Sequence, residues 1–477
     1  MDSCSVASIM SLGSLAIQRT NLCSLLLRVL PRLLGGFTPS SLKKFREDVH
    51  TRLTGTMLGT LPDLPQDILV GIFATLEIPD LIRAGAVCPS WYSAYTSLRS
   101  LGLYKLPQTP CLLYTSESAG DSTACLYSLT EKRSYKLTLP GPPIRTRCLI
   151  GSSHGWLVTV DDRSEMHLVN PITCEQIALP SVITLEPVKP IFDEYGVLHK
   201  YEFSWHTGLR GCDSPSIFDL DKLRDILHYK AFVFPDTSTG SYIVVLIHNA
   251  QRQLSYARVG DDRWTWLPPQ EAYTDCIYKD GLLYAMCEVG EFYTEELHTF
   301  DLSGPAVTMK TAIRIPRQDE YGDLYVVQDP WGGLLLIRRI LEDRDLEPEP
   351  GALVFWNTTG FKIYEVEAAG SELKEVNCLR DHVLFLGHNQ SLCLSAEEYP
   401  SLRANHVYFT DDNYFWTTGL ENNHRDMGIF NLDDNSKEEL VSPQLWSKWP
   451  APMWITPDLR KMNMASWGVE KIVRWVQ

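Results

Sequence analysis

The chain has no Cys-x-x-Cys pair; its twelve cysteines are scattered singly along 477 residues. That removes the usual spacing of a zinc site or a disulfide framework and fits a reducing compartment. Long apolar runs are missing too. The nearest, Leu22 to Leu34, is interrupted by Arg28, Pro31 and Arg32, so no segment reaches the roughly 18 residues a membrane-spanning helix needs. Positive charge is scarce: 43 Lys and Arg against 59 Asp and Glu leave a net charge of −16. This argues against the basic stripe of a nucleic-acid-binding surface and mainly favours solubility. What is present is ordinary globular material, 44% apolar and 10% aromatic, in a length that suits two or three domains.

The first 55 residues stand apart. They are rich in Ser and Leu and carry Arg19, Arg28, Arg32, Lys43, Lys44 and Arg46, with almost no acids before Glu47. That is the composition of an organelle transit peptide, although a flexible tail or an amphipathic surface helix fits the rest of the chain better.

Residues 60–102 read as three short helices. Pro65, Pro79 and Pro89 each suit the start of a helix, where no backbone donor is lost, and an acid follows the first two within two residues. Ile68, Leu69, Ile72, Phe73 and Leu76 form one broad stripe of 3.6-residue period; Leu81, Ile82 and Val87 continue it on a second helix, and Trp91, Tyr95 and Leu98 on a third. A core from about 40 residues is too small to be comfortable alone, so an apolar face left for a partner is expected. The order Leu64-Pro65, apolar helix, Pro79-Asp80-Leu81, Val87-Cys88 and Trp91 closely resembles the F-box. The resemblance implies that Leu64, Pro65, Ile68, Leu69, Ile72, Pro79, Leu81, Val87 and Trp91 bind the Skp-type adaptor of a cullin-RING ubiquitin ligase.

From about residue 110 to 460, short apolar runs alternate with Gly, Asp, Asn and Pro, and helical stripes are nearly absent. Strand-ending Leu139-Pro140, Leu179-Pro180, Leu267-Pro268 and Ile315-Pro316 lie 40, 88 and 48 residues apart, close to one, two and one units of about 44. Strand, tight turn and strand recur at 148–158, 276–284 and 324–336. Asn170, Asp301, Asn357 and Asn431 each follow an apolar strand and precede a turn. Four short strands in about 44 residues are the mark of a β-propeller blade, here six to eight of them. The blades lack the regular Gly-His and Trp-Asp marks of WD40 repeats, and Gly332-Gly333 is the one glycine pair of kelch type in this region.

This region resembles plant F-box proteins with a C-terminal KIB-type β-propeller, most clearly from Asp381-His382-Val383-Leu384-Phe385 through Gly387-His388-Asn389 to Asn405-His406-Val407-Tyr408-Phe409-Thr410-Asp411-Asp412. The expected fold is therefore an α+β multidomain chain: leader, F-box, an all-β propeller over 110–460, and a tail over 461–477.

Candidate chemistry is sparse. Gly151-Ser152-Ser153-His154-Gly155 fits the Gly-x-Ser-x-Gly pattern, but Trp156-Leu157-Val158 continues as strand where a hydrolase needs a helix, so an inter-strand turn is expected. His382, His388 and His406 match no metal-ligand spacing. The pairs Asp161-Asp162, Asp261-Asp262, Asp411-Asp412 and Asp433-Asp434 read as solvated turns, and Glu342 to Pro350 as an exposed inter-strand loop. The glycosylation patterns at Asn357 and Asn389 have no consequence without a secretory signal. No catalytic residue, metal or cofactor is assigned. The expected role is a non-catalytic substrate receptor of the cytoplasm or nucleus, with adaptor, cullin and an unidentified target protein as partners and neither nucleic acid nor membrane. An organelle or non-degradative scaffold and a propeller hydrolase are the alternatives.

Overall fold

The computed structural model describes residues 65–205, 214–236, 241–289, 294–304, 307–315, 322–344, 355–366, 373–412, 425–447 and 449–460. The leader, Leu64, the tail and residues 345–350 of the acidic stretch lie outside them. Two compact units emerge, one of residues 65–108 with 457–460 and one of residues 109–456.

The first unit is the three-helix set: α1 (Gln66–Phe73), α2 (Ile78–Gly85) and α3 (Pro89–Ser100). Pro65 is the N-cap of α1, while Pro79 and Pro89 fall in the first turns of α2 and α3, positions that cost no hydrogen bond. The helices are shorter than the apolar periodicity suggests: Leu76 lies beyond α1 and Val87 beyond α2, in the connecting turns, although Leu76 is still buried. On α3, Trp91, Tyr95 and Leu98 are all buried, and the Trp91 ring meets Phe73 edge-on at 5.4 Å. Helix starts leave unpaired amides. The Gln108 side chain accepts from Ile78 N at 2.9 Å and donates to the Tyr104 hydroxyl, which donates to Leu76 O at 2.7 Å. Burial, followed by the charge of Glu77, pushes the Tyr104 hydroxyl well above its ordinary range, so it stays a neutral donor.

The second unit is all-β. Its first sheet holds β1 (Cys111–Thr115), β2 (Thr123–Ser128) and β3 (Arg133–Thr138). The second holds β4 (Cys148–Ser153), β5 (Trp156–Val160), β6 (Met166–Asn170) and β7 (Glu175–Ala178). A three-stranded sheet follows, β8 (Val188–Phe192), β9 (Leu198–Phe203) and β10 (Ser216–Asp219). Three regular meanders come next: β11 (His228–Asp236), β12 (Ser241–His248), β13 (Gln253–Arg258) and β14 (Thr265–Leu267); β15 (Ala272–Lys279), β16 (Leu282–Val289), β17 (Thr294–Asp301) and β18 (Thr308–Ile315); and β19 (Gly322–Gln328), β20 (Leu334–Arg344), β21 (Phe355–Val366) and β22 (Leu373–Val376). The last sheet contains β23 (His382–Leu386), β24 (Leu392–Ser395), β25 (His406–Phe409), β26 (Gly428–Asn431) and β27 (Lys437–Glu438). Finally β28 (Met453–Ile455) returns to pair antiparallel with β1, Leu113 opposite Met453.

Six of these sheets form the ring. Their inner strands β28, β4, β11, β15, β19 and β24 lie beside one another in that order. The ring closes where Val383, Phe385 and Tyr408 share a core with Leu112, Tyr114 and Trp454. The three-stranded sheet does not interrupt it, because β4 and β11 are direct neighbours. Tyr201 and Phe203 of that sheet pack into the core between the second and third blades, so it is an insertion. This explains the 88-residue interval, which contains one ring blade plus the insertion. Of the four Leu-Pro and Ile-Pro marks, Leu267 and Ile315 end a blade's outermost strand, and Leu139 and Leu179 directly follow one.

Three of the four strand-end Asn and Asp residues cap turns as expected: the Asn170 side chain accepts from Ile172 N and Thr173 N, Asp301 from Ser303 N, and Asn431 from Asp433 N. Asn357 instead lies inside β21, opposite Glu342 of β20. The expected loop at Glu342 is likewise corrected for residues 342–344, which extend the β20 ladder. The last blade departs from the regular meander: β23 runs parallel to β25, and β24 turns back to become the inner strand.

Candidate interaction site

The helix α1 carries two apolar stripes. Leu69 and Phe73, one turn apart, are buried at 1% exposure each; Pro65 and Ile68 are exposed, and Ile72 is half-buried. Because successive helical residues are turned by about 100°, the 65/68/72 row lies beside the 69/73 row and outside the core. Elsewhere in the set, Leu81 and Trp91 are buried, whereas Pro79 and Val87 are half-buried. The sequence pattern thus mixes residues that build the helical core (Leu69, Leu81, Trp91) with residues that present a surface (Pro65, Ile68, Ile72). Periodicity alone does not separate the two. Asp67 in the first turn of α1 complements the helix dipole without interrupting the outer row.

In the propeller, sequence reading missed a buried ionic network, because its members are spread over strands and connections of several blades. The Lys230 ammonium, 2% exposed, donates to Asp275 Oδ1 at 2.8 Å and sits 5.2 Å from the ring centroids of Phe232 and Tyr325. Asp275 Oδ2 accepts from Val326 N at 2.9 Å and Ser391 Oγ at 3.1 Å; burial pushes this carboxyl up even so, against the charge of Lys230. Beyond Tyr325, whose hydroxyl donates to Asp412 Oδ2 at 2.9 Å, Arg339 donates to Asp412 Oδ1 at 2.9 Å, Thr410 O at 3.0 Å and Asp426 Oδ2 at 3.1 Å. Burial would raise the Asp426 carboxyl, but Arg339 and Lys437 outweigh it and hold it at about 2. Lys230, Asp275, Arg339, Asp412, Asp426 and Lys437 each face an opposite charge.

The motifs weighed for chemistry fall into place on the same geometry. Ser152 and Ser153 end β4, and His154 and Gly155, at φ of 47° and 83°, make a hairpin turn into β5, with no helix to present a nucleophile. His382 is buried, 3.0 Å from Asp381 and tilted against the Trp331 ring at 4.6 Å; His388 is buried; His406 Nδ1 lies 2.6 Å from Ala404 O. Among the described residues no group of His, Cys, Asp and Glu is arranged to hold a metal ion. Asp161, Asp261 and Asp434 accept backbone amides in turns, Asp261 and Asp434 in solvated ones as expected and Asp161 in a buried one. Asp411 and Asp412 do not: they are buried or half-buried and reach Arg425 and Arg339 respectively. The folded sheet also joins Cys287 to His298 at 3.5 Å and His298 to Glu296 at 3.0 Å. Cys287 is 1% exposed and burial pushes its thiol far up, so this trio is a sealed hydrogen-bond network and not an activated nucleophile. Among the described residues no helix is long and apolar enough to cross a membrane.

Comparison with known proteins agrees with both units. The F-box-like family matches residues 61–100, and the KIB1-4 beta-propeller family matches residues 126–431. F-box protein SKIP23 of Arabidopsis thaliana is 25% identical over 419 residues, covering 83% of this chain and 96% of its own. F-box protein KIB4 of the same plant is 24% identical over 356 residues, covering 73% and 82%. Among solved structures, an oligogalacturonate lyase from Vibrio parahaemolyticus reaches a TM-score of only 0.29 at 11% identity, over 64% of this chain and 84% of its own, and informs no argument about function. With a three-helix F-box-like segment leading into a closed ring of sheets whose profile match spans more than half its length, the chain belongs to the KIB1-4 β-propeller family of F-box proteins.

Proposed function

We propose that this chain is the substrate receptor of a Skp-cullin-F-box ubiquitin ligase. The helical unit holds the Skp-type adaptor, and through it the cullin, while the propeller holds a target protein. The chain itself does no chemistry; it raises the local concentration of target lysines beside the ubiquitin-charged enzyme. The observation that carries this reading is the outer row of α1, apolar and exposed at Pro65 and Ile68 although the neighbouring row already fills the helical core. An exposed apolar row on so small a unit marks an interface. In this reading Pro65, Ile68 and Ile72, with Leu64 before them and Pro79 and Val87 at the turns, touch the adaptor. Leu69, Leu81 and Trp91 act indirectly by holding the helices that present them. A cytoplasmic or nuclear location follows from the same reading, since that is where the ligase core would be met.

The test is affinity purification of the tagged full-length chain, with and without Ile68→Glu. The parent chain should bring down a Skp-type adaptor and a cullin, and the variant neither. Proteins that accumulate on the variant should be ubiquitinated when the parent replaces it. Equal capture of adaptor by both chains would overturn the assignment.

A further inference from the structure

The segment Gly387–Ser391 crosses the ring. It leaves β23 in the sixth blade and makes hydrogen bonds to blades that do not adjoin the sixth. Gln390 N donates to Ser152 O of β4, in the second blade, at 2.7 Å, and Ser152 forms a parallel bridge with Asn389. Ser391 Oγ donates at 3.1 Å to Asp275 of β15, in the fourth blade, the carboxylate that also accepts from Lys230 of β11 and from Val326 N of β19. One pentapeptide therefore bonds directly to β4 and β15, and through the Asp275 carboxylate it is linked to β11 and β19.

The local chemistry is committed to this path. His388, Asn389 and Ser391 are at most 3% exposed, which is unusual for polar residues in a connection between strands. Gly387 sits at φ 144°, and a Cβ there would lie 2.1 Å from Thr410 Oγ1, so only glycine lets the chain turn inward at this point. The Asn389 side chain donates to Gln390 O at 2.7 Å, which fixes the segment from within.

We infer that Gly387–Ser391 is an axial strap. It occupies the propeller's central axis with the chain's own backbone and couples the second and fourth blades to the sixth across the ring. The strap makes the six blades open as one cooperative body rather than blade by blade, and it leaves the outer surfaces, not an axial pocket, for binding. This role belongs to the propeller alone and is independent of whether the helical unit holds an adaptor.

Hydrogen exchange on the full-length chain tests it. In the unaltered protein the Gln390 amide should exchange as slowly as the amides of β4; exchange at loop rates would overturn the strap. Ser391→Ala removes one hydroxyl and keeps the backbone path. It should speed exchange about tenfold or more in β4 and β15 together, because a hydrogen bond to a buried carboxylate is lost, while β2 and β3 in the first blade stay unchanged. Acceleration confined to residues 387–391 would show a local loop and not a brace.

Discussion

Replacing Ile68 and Ile72 together by alanine is expected to weaken adaptor binding by more than it weakens the fold. Ile68 is 48% exposed, so about half of its apolar surface is still to be hidden, whereas the half-buried Ile72 has less left. Full burial of such a side chain contributes about 1.5–3 kcal/mol, so the two remainders together are worth roughly 1–2 kcal/mol. That corresponds to about a 5- to 30-fold loss of affinity. Alanine is the better helix former, so α1 itself does not suffer. The contrast is Leu69→Ala, which opens a cavity where the side chain is 1% exposed and should cost about 2–5 kcal/mol of folding stability. Titration calorimetry of the purified full-length chain against a Skp-type adaptor, beside thermal unfolding of the same samples, separates the two effects. If the Ile68/Ile72 variant binds within twofold of the parent, or loses binding only in step with its melting temperature, the division of α1 into an inner and an outer row is wrong.

Three further outcomes are expected. Lys230→Met strands the fully buried Asp275 carboxylate and should destabilise the propeller by about 3–5 kcal/mol, whereas Lys230→Met with Asp275→Leu should recover much of that in chemical denaturation. Burial lowers the His248 imidazole to about 4, below its unfolded value of 6.5, so its neutral form contributes stability that is fully present above pH 6.5 and declines as pH falls toward 4; His248→Gln should shrink the stability lost across that window by about 3 kcal/mol, read from urea midpoints at several pH values. Asp426, held at about 2, contributes stability above the unfolded value near 4 that fades between pH 4 and 2, and Asp426→Asn should remove roughly 2 kcal/mol at neutral pH while leaving acid unfolding below pH 2 unchanged.

Much of this architecture is legible in the residues because it is local. Proline at a helix start, an Asn that caps a strand-end turn and a Leu-Pro that stops an outer strand act within a few positions of themselves, and the three starts at 65, 79 and 89 stand where the sequence puts them. The failures are those of non-local structure. Apolar periodicity runs on through Leu76 and Val87 because both remain partly or fully buried in the turns, although the helices have already ended. A spacing of 88 residues cannot distinguish two blades from one blade and an insertion; that depends on β4 and β11 meeting in space. Adjacent acids look alike in sequence, yet Asp434 serves a turn while its neighbour Asp433 accepts from the Asn405 side chain, and Asp411 and Asp412 reach Arg425 and Arg339. On α1, Ile68 and Ile72 of the outer row are apolar like their core neighbours Leu69 and Phe73, and only the third dimension tells Ile68 from Leu69.

Ring closure explains why the last strand is so short and so apolar. Its three residues, Met453, Trp454 and Ile455, pair with a strand about 340 residues earlier, so the entropy of closing a very long loop must be offset by burial that comes in one step. Hairpins within each blade form from neighbours in sequence, and their closure does not wait for the end of the chain. The late strand is rewarded instead by packing: Trp454 is fully buried, edge-on to Phe385 at 5.1 Å, and belongs to the core that joins the sixth blade to the first. Without it, β1 would present Cys111, Leu112 and Leu113 along an unpaired inner edge, the kind of edge that invites another chain. A strand that completes one sheet and seals the seam to another does both with the fewest residues, which is why three suffice.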